Sequence, residues 1–375
     1  MQGMNLWDIP AIDHHAHNLV KPDALEADFF PGAFTESNDP VVVRQHARHT
    51  LFYLRSLRDI AELIDCAPSE ETILARRREL GPERLAARCF QASNLSAVFL
   101  DDGFMTDRIL PWTWHRQFSS IRRILRLEQL AEDLIRSEDQ FDIFLDRFRS
   151  HLDAPPREVV ALKSIAAYRS GLNIRQTPSH VARSRFRALR QQLEASGGIL
   201  RFADKPLIDF LITKALDTAA KHGIPVQFHT GFGDPDLDLR LANPLHLRPL
   251  LEEPRWRHVP IILLHGAYPF VREAGYLASV YPQVYLDVGL AVPFLSVAGM
   301  RLAMQQLIEL APTTKLMFST DAHTIPELYY LGAKWGRETL AHVLERAVGN
   351  SDLTANEAES VAKAVLFENA GRLYP

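Results

Sequence analysis

The strongest constraint on the fold is a series of eight short apolar runs separated by longer segments with helical periodicity. Each run is nearly continuous in apolar residues, which is typical of strands buried on both faces of a sheet. Strands that alternate with helices favour a parallel sheet, and eight of them predict a closed (β/α)8 TIM barrel rather than a doubly wound sheet. The predicted strands lie at 9–13, 95–100, 121–127, 159–165, 224–229, 259–265, 284–288 and 315–319.

The spacing of these runs is regular in the C-terminal half but not at the start of the chain. More than 80 residues separate the first predicted strand from the second, which is too many for one crossover. We therefore predict a helical insertion over about 20–90. Helical periodicity predicts helices that connect the strands at 206–222, 298–310 and 326–348. The segment 356–373 is predicted to be an extra C-terminal helix. The whole chain, 1–375, is predicted to be one barrel domain carrying this insertion.

Composition narrows the possible partners and compartments. Lysine and arginine number 42 against 46 aspartates and glutamates, so the net charge of −4 gives no field that would attract nucleic acid or an anionic membrane. Two cysteines cannot form a disulfide framework, and no secretory signal or membrane-spanning run is visible. We expect a cytoplasmic protein that acts on a small molecule. Whether it forms a homo-oligomer is left open by the sequence.

The first predicted strand runs into Asp13-His14-His15-Ala16-His17. Residues two apart on a strand point the same way, so His15 and His17 would present two imidazoles side by side. They would do so at the C-terminal end of the strand, where barrel active sites form. Imidazole suits zinc, iron, nickel and copper, so this pair is a candidate metal site.

Later strands end in the same kinds of residue. His229 ends the fifth strand, His265 ends the sixth, and Asp321 follows the eighth in Ser319-Thr320-Asp321-Ala322-His323. A single histidine after an apolar run is usually structural, but ligand types at four strand ends of one barrel predict a metal site. His46 and His49 lie outside every predicted strand and are interpreted as surface residues.

These motifs resemble those of the amidohydrolase superfamily, specifically its amidohydrolase-related (family 2) branch. The resemblance rests on three features: the Asp-x-His-x-His motif, the two later histidines and the Ser-Thr-Asp-Ala segment. The chain is most similar to the amidohydrolase-like domain found fused to glutamine-synthetase-like domains, through Ala166–Leu172, Phe228–Asp234, Leu264–Pro269 and Ser319–His323. The resemblance implies a metal-dependent hydrolase barrel that binds one or two divalent ions, with zinc as the expected metal.

Lys163 lies inside the predicted fourth strand, where a buried lysine is costly unless it is paired or neutral. In binuclear members of the superfamily a strand-four lysine is carboxylated by CO2 and bridges two ions. The resemblance therefore implies a carbamate on Lys163 if this site is binuclear. The alternative is an ammonium that pairs with an acidic neighbour or extends to the strand end.

Several polar residues near the strand ends are candidates for substrate binding. Arg169 follows the fourth strand after Tyr168, and a guanidinium there suits a substrate carboxylate, with a structural ion pair as the alternative. His323 is the third candidate, either against substrate or orienting a metal ligand. Further residues could face the mouth or serve structure alone: Asp101, Asp102, Arg126, Glu128, Asp234, Asp236 and Asp238.

We therefore predict a metal-dependent hydrolase that activates water to cleave an amide-type C–N bond in a small anionic substrate, for example a γ-glutamyl amide by analogy with the fused relatives. Asp321 would shuttle the proton, and His265 would act as a catalytic partner in place of a metal ligand if the site holds one ion. A mononuclear zinc decarboxylase or an isomerase on the same site is the alternative, and a non-catalytic binding barrel is a weaker one. The predicted metal ligands are His15, His17, Lys163, His229, His265 and Asp321.

Overall fold

The computed structural model describes residues 4–25, 28–198, 200–289 and 294–374. Eight parallel strands form a single sheet in chain order, which confirms the predicted barrel architecture. The strands are β1 Ala11–Ala16, β2 Leu95–Asp101, β3 Ser120–Arg126, β4 Val159–Ser164, β5 Val226–Phe228, β6 Ile261–Leu263, β7 Val284–Asp287 and β8 Leu316–Met317.

The sheet closes where β1 meets the segment that follows β8. The main-chain N–H of His14 donates to the Phe318 oxygen at 3.2 Å, and that of His17 donates to the Ala322 oxygen at 2.8 Å. In return, the Asp321 N–H donates to the His15 oxygen at 3.0 Å. These bonds hold the first and last motifs of the chain side by side.

All eight predicted strands are present, but several bounds differ from the prediction. β1 begins and ends later than the predicted 9–13, so His15 lies within the strand and His17 directly follows it. β5, β6 and β8 are shorter than their apolar runs. Each of the three loses residues at both ends of its predicted run, so His229 and His265, like Asp321, follow the strands rather than end them.

Helices surround the sheet and connect its strands. The longer ones after β3 are Leu127–Ser137, Phe141–Asp153, Ser179–Ala195, Lys205–His222, Val271–Val280, Val297–Ile308 and Glu327–Gly349. Short helical turns are Trp112–His115, Ala166–Arg169, Leu239–Leu241, Pro244–Leu247, Arg248–Leu251, Pro254–Trp256, His265–Ala267 and Thr313–Lys315. Within the described residues no helix has both the length and the apolar character that crossing a bilayer requires.

The predicted helical insertion lies between β1 and β2. Its three long helices are Leu51–Ile64, Glu70–Leu80 and Pro82–Ser93, and its shorter turns are Pro22–Ala24, Phe29–Gly32, Val42–His46 and Ala47–His49. Thr50 caps the first long helix by accepting the Tyr53 N–H at 3.1 Å.

Aromatic packing attaches the insertion to the barrel. The Phe52 ring stands edge-on to Trp335 of the helix after β8, with centroids 4.9 Å apart. Phe34 extends this contact outward, 6.1 Å from Phe52. All three side chains are almost completely buried, so hydrophobic burial holds the insertion in a fixed position over the mouth.

The C-terminal segment folds back against the barrel interior. Helix Ala355–Lys363 continues through a π-helical turn, Ala364–Glu368, into Asn369–Leu373, so the predicted terminal helix is present with an irregular middle. The Tyr374 hydroxyl lies 3.0 Å from His14 Nδ1 and accepts from Gln227 Nε2 at 2.9 Å. This network fills the barrel beneath the mouth with polar groups, of which Gln227 Oε1 and His14 Nε2 are buried without a hydrogen-bond partner.

Candidate metal centre

The residues predicted for the site converge at the C-terminal end of the barrel. Eight of them line one cavity of about 170 Å³: His17, Lys163, Tyr168, Arg169, His229, His265, Asp321 and His323. The ninth, His15, is fully buried and contacts Asp321 and Lys163 from behind the cavity wall.

Asp321 is the common neighbour of three histidines. Its Oδ1 lies 3.2 Å from His15 Nε2 and 3.2 Å from His17 Nε2, and its Oδ2 lies 3.1 Å from His265 Nδ1. Ligand atoms bound to one tetrahedral zinc at about 2.0–2.1 Å stand about 3.3 Å apart, so these separations suit ligands that share an ion.

The hydrogen bonding of His17 identifies a place for a cation. Its Nδ1 lies 3.1 Å from the main-chain oxygen of Asp101, which can only accept, so in the neutral ring Nδ1 carries the proton. His17 Nε2 then presents a lone pair to the carboxylate oxygen of Asp321. Two acceptors that face each other at 3.2 Å without a proton fit a bound metal ion between them.

A second series of contacts runs from Asp321 through His265 and His229 to Phe232, and it too has one proton too few for its contacts. The Phe232 oxygen lies 3.0 Å from His229 Nε2, and His229 Nδ1 lies 3.0 Å from His265 Nε2. With the contact from His265 to Asp321 this makes three contacts, whereas two neutral imidazoles supply two protons. His265 Nδ1 and Asp321 Oδ1 are both buried without a hydrogen-bond partner, which again fits a cation.

The protonation of these groups suits metal binding. Burial, with Lys163 nearby, lowers the pKa of His15 to about 3, and burial also lowers the pKa of His265. Burial, with His265 beside it, lowers the pKa of His229 well below its usual value. Burial opposes the ionisation of Asp321, but His265 and His15 hold its pKa well below the ordinary range. Neutral imidazoles and an ionised carboxylate are the forms that bind divalent metals.

Unusual backbone conformations direct two of these side chains. His265 has φ 62° and Asp321 has φ 48°, in the left-handed region that non-glycine residues seldom adopt. Asp287, the last residue of β7, accepts the His265 N–H at 2.8 Å. Asp13 accepts the Thr320 N–H at 2.9 Å and thereby holds the turn that carries Asp321.

Lys163 lies among the candidate ligands rather than at the strand end. Its Nζ is 2.9 Å from His15 Nε2 and 3.8 Å from the Asp101 carboxylate, and the side chain is almost fully buried. Burial lowers the pKa of Lys163 to about 8. Asp101 already binds Arg126 through both carboxylate oxygens, at 2.6–3.1 Å, so it is only a distant partner for the lysine.

Tyr168 and Arg169 form another part of the cavity wall, on the short turn after β4. The Tyr168 ring packs on His229, with centroids 4.4 Å apart. Arg169 Nη2 lies 3.8 Å from Glu132, and its Nε is buried without a hydrogen-bond partner. This long contact with Glu132 is the only ion pair that Arg169 forms among the described residues.

Other sequence interpretations are resolved by the geometry. Arg126 does not pair with Glu128 but with Asp101; Glu128 instead accepts from the Ser164 hydroxyl at 2.7 Å. The reason is that β2 and β3 are neighbours whose ends bring Asp101 and Arg126 together.

Some of the acidic residues that follow β2 and β5 form ion pairs away from the cavity, and others line the cavity. Asp102 accepts from Arg123 at 2.7 Å, and Asp238 binds Arg240, so both serve structure. Asp236 binds Arg201 at 3.0 Å at the rim of the cavity, and Asp234 lines the cavity. His46 and His49 are exposed on the insertion, as interpreted from the sequence.

Four acidic residues of this region were given no role by the sequence analysis or were left undecided. Asp101 and Asp287 are the last residues of β2 and β7, and Asp13 lies within β1, where the predicted apolar run 9–13 ends. An apolar run that ends in aspartate is therefore a signal for such residues. Glu36 lines the cavity from the insertion and follows no such run. Burial, followed by the nearby Asp321 and Asp234, raises the pKa of Glu36 to about 8.

Comparison with known proteins supports this picture. A family model described as amidohydrolase matches residues 174–375. Protein fluG of Emericella nidulans is 32% identical over 397 aligned residues, which cover 97% of this chain. The chain spans about half the length of this curated relative, namely 45%.

Solved structures share the whole architecture. A Lactobacillus casei protein provisionally described as a metal-dependent hydrolase superposes with a TM-score of 0.87 at 28% identity, covering 98% of this chain and 96% of that one. Uronate isomerase from Thermotoga maritima superposes with a TM-score of 0.66 at 13% identity, covering 98% and 95% of the two chains. At that identity the second match shows the shared fold alone.

Proposed function

This chain belongs to the amidohydrolase family, and on that premise we propose that it cleaves an amide-type C–N bond in a small substrate that bears a carboxylate. As an enzyme of the amidohydrolase superfamily with a metal-dependent hydrolase fold, it has the scaffold for this reaction. The proposal adds the bond that is cleaved, the class of substrate and the roles of individual residues.

The observation that carries the proposal is the pair of acceptors formed by His17 and Asp321. The lone pair of His17 Nε2 faces Asp321 Oδ1 at 3.2 Å, and His15 Nε2 faces the same oxygen at the same distance. No purely structural purpose is served by aiming buried acceptors at one another. We assign His15, His17 and Asp321 as the core ligands of a divalent metal, with His265 and His229 completing the set. His229 would bind through Nδ1, in place of its present contact with His265 Nε2.

Zinc is the proposed ion because imidazole nitrogens and one carboxylate are the donors it prefers. Bound there, it would supply a water of lowered pKa and polarise the scissile carbonyl. Asp321 takes the proton of the attacking water as the new C–O bond forms. It returns that proton to the leaving nitrogen as the C–N bond breaks, which yields a carboxylic acid and an amine. His265, 3.1 Å from Asp321 Oδ2, orients the carboxylate for this transfer.

Lys163 is proposed to be carboxylated when two ions are present. As an ammonium it would direct a positive charge at His15 Nε2, the nitrogen that a metal would use, from 2.9 Å. A neutral amine can react with CO2, and burial favours the neutral form. The resulting carbamate is an anion with oxygens able to bridge two cations, which fits the second proton-deficient contact at His265.

Arg169 is proposed to bind the carboxylate of the substrate. Its guanidinium has donors to spare, since Nε has no partner and the nearest carboxylate lies 3.8 Å away. A planar fork matches a carboxylate, and Tyr168 and His323 would close the sides of the same cavity. Binding at this remote group would set the scissile carbonyl over the metal ligands.

The test is a substrate panel on purified, zinc-loaded protein. Glutaryl, succinyl and γ-glutamyl amides are compared with matched amides in which a methyl group replaces the carboxylate. The proposal expects release of free amine from the carboxylated series and much slower release from the methyl series. Evolution of CO2, or an isomer of unchanged mass, would replace hydrolysis with the decarboxylase or isomerase alternative, and preference for the methyl series would remove the role of Arg169.

A further inference from the structure

A second cavity of about 380 Å³ adjoins the one that holds the candidate metal ligands. We call the first the inner chamber and the second the outer chamber. Both are lined by the same four residues at their junction: Glu36, Phe104, Asp234 and His323. A molecule that reaches the metal ligands can therefore extend past these four side chains.

The two chambers differ in volume and in the parts of the chain that line them. The inner chamber, at about 170 Å³, is smaller than most ligand pockets, which measure roughly 300–1,000 Å³. The outer chamber falls within that range and is lined largely by the insertion, including Phe29, Ala33, Pro40 and Val43. A substrate that fits both chambers has a small part over the metal ligands and a larger, partly apolar part beneath the insertion.

The junction carries two carboxylates that no described cation neutralises through an ion pair. Glu36 has no such partner, and Asp234 accepts the Asp236 main-chain N–H at 2.8 Å without an ion pair. The other charged side chains of the outer chamber already have partners. Arg44 binds Asp28 at 2.6 Å, and Arg108 donates to the Ala24 oxygen at 2.7 Å. Burial and the neighbouring carboxylates raise the pKa of Glu36 to about 8, so a cationic group placed at the junction would favour its ionised form and pair with it.

We infer that the outer chamber binds the amine portion of the substrate and that Glu36, beside Asp234, binds a positive charge on that portion. The inference rests on the proposed function, because the carboxylate on Arg169 and the carbonyl over the metal ligands leave only the amine portion to enter the outer chamber. The substrate class is then an amide between a small carboxylated acyl group and an amine that carries a second, cationic nitrogen. Glu36 acts as a specificity-determining residue and takes no part in bond cleavage.

A matched pair of substrates tests this inference. The glutaryl amides of 1-aminopentane and of 1,4-diaminobutane contain equal numbers of heavy atoms and differ at the far end, where a methyl group replaces an ammonium. We expect kcat/KM to be at least about tenfold higher for the ammonium substrate, as a charge-assisted contact provides. In Glu36→Gln this preference should fall to about onefold, while hydrolysis of the pentyl amide is kept. The control Glu62→Gln, on an exposed helix face of the insertion, should retain the preference.

A binding measurement separates this inference from the proposed function. The two free amines, 1,4-diaminobutane and 1-aminopentane, are titrated into the zinc-loaded protein and into Glu36→Gln by calorimetry. Tighter binding of the diamine that depends on Glu36, without cleavage of any amide, would support the outer chamber and reject amide hydrolysis. Cleavage of both amides at equal rates, with no effect of Glu36→Gln on rate or binding, would overturn the inference and leave the proposed function standing.

Discussion

The barrel mouth and the insertion contribute to the site in different ways. At the mouth, the candidate metal ligands lie near strand ends and contact one another across strands, as His15 does with Asp321 and Lys163. The insertion places Glu36 in the cavity from a segment outside the sheet. Under the proposed function, the barrel would determine what chemistry is possible, and the insertion would determine which molecule is admitted.

The two regions are also stabilised differently. The mouth buries carboxylates, imidazoles and a lysine, which cost free energy unless they are paired or bind a metal. The insertion is held by aromatic contacts such as that of Phe52 with Trp335. Changes at the mouth should therefore alter metal content and rate, and changes in the insertion should alter specificity and stability.

The largest effect is expected when both histidines of β1 are removed. His15→Ala with His17→Ala deletes two of the core ligands, so bound metal and hydrolysis should both fall to background. Elemental analysis and an amide assay measure this. The matched control is the double variant His46→Ala with His49→Ala, since these residues are exposed on the insertion. Metal retained by the first double variant, or lost by the second, would contradict the assignment.

Asp321→Asn should have the next largest effect. The amide keeps the shape and one acceptor oxygen but cannot take a proton, so kcat should fall by roughly 10²–10⁴. The exposed Asp352→Asn serves as the control. Undiminished kcat in an Asp321→Asn protein that still holds metal would show that another group transfers the proton.

Lys163→Ala tests whether one ion or two are bound. A bridging carbamate would make the variant lose one equivalent of metal, and bicarbonate should speed assembly of the native site. Lys315→Ala is the comparison, because Lys315 donates to the main-chain oxygens of Ala278 and Tyr281 before β8 begins. Equal metal content in the native and Lys163→Ala proteins would favour a single ion, with His265 acting on the substrate and not on the metal.

Arg169→Lys should give a smaller effect that is specific to substrates with a carboxylate. A point charge replaces the planar fork, so kcat/KM should drop by about 10–100-fold for glutaryl amides, with little change for their methyl analogues. Arg240→Lys, which alters an exposed guanidinium bound to Asp238 away from the inner chamber, is the control. A drop of equal size for both substrate series would indicate that Arg169 serves structure.

The smallest effect is expected in the insertion. Thr50→Ala removes a helix cap and should lower the free energy of unfolding by about 1 kcal/mol, with metal content unchanged. Thr50→Ser retains the capping oxygen and should be near native. Thermal or urea unfolding measures the difference, and metal loss in Thr50→Ala would show that the insertion also supports the mouth.

Much of the mouth could be predicted from the sequence because strand periodicity fixes where side chains point. His15 and His17 share a direction, and His229 follows the end of β5 directly. The left-handed backbone of His265 and Asp321 could not be predicted, because it depends on Asp287 and on the turn held by Asp13. Such bonds join residues far apart in the chain.

The insertion could be predicted only as a helical segment. Its length and periodicity indicated helices between β1 and β2, but nothing local to Glu36 indicates that its carboxylate faces the mouth. That placement depends on how the aromatic side chains of Phe34 and Phe52 dock on the helix after β8. Packing between distant elements carries this information, and a single sequence does not.

Anomalous diffraction at the zinc edge, from crystals of the zinc-loaded protein, tests the central claim most directly. The account predicts a strong peak at the barrel mouth within about 2.0–2.2 Å of nitrogens of His15 and His17 and an oxygen of Asp321. A mouth without an anomalous peak, with these side chains unchanged and zinc bound only at surface histidines, would contradict it.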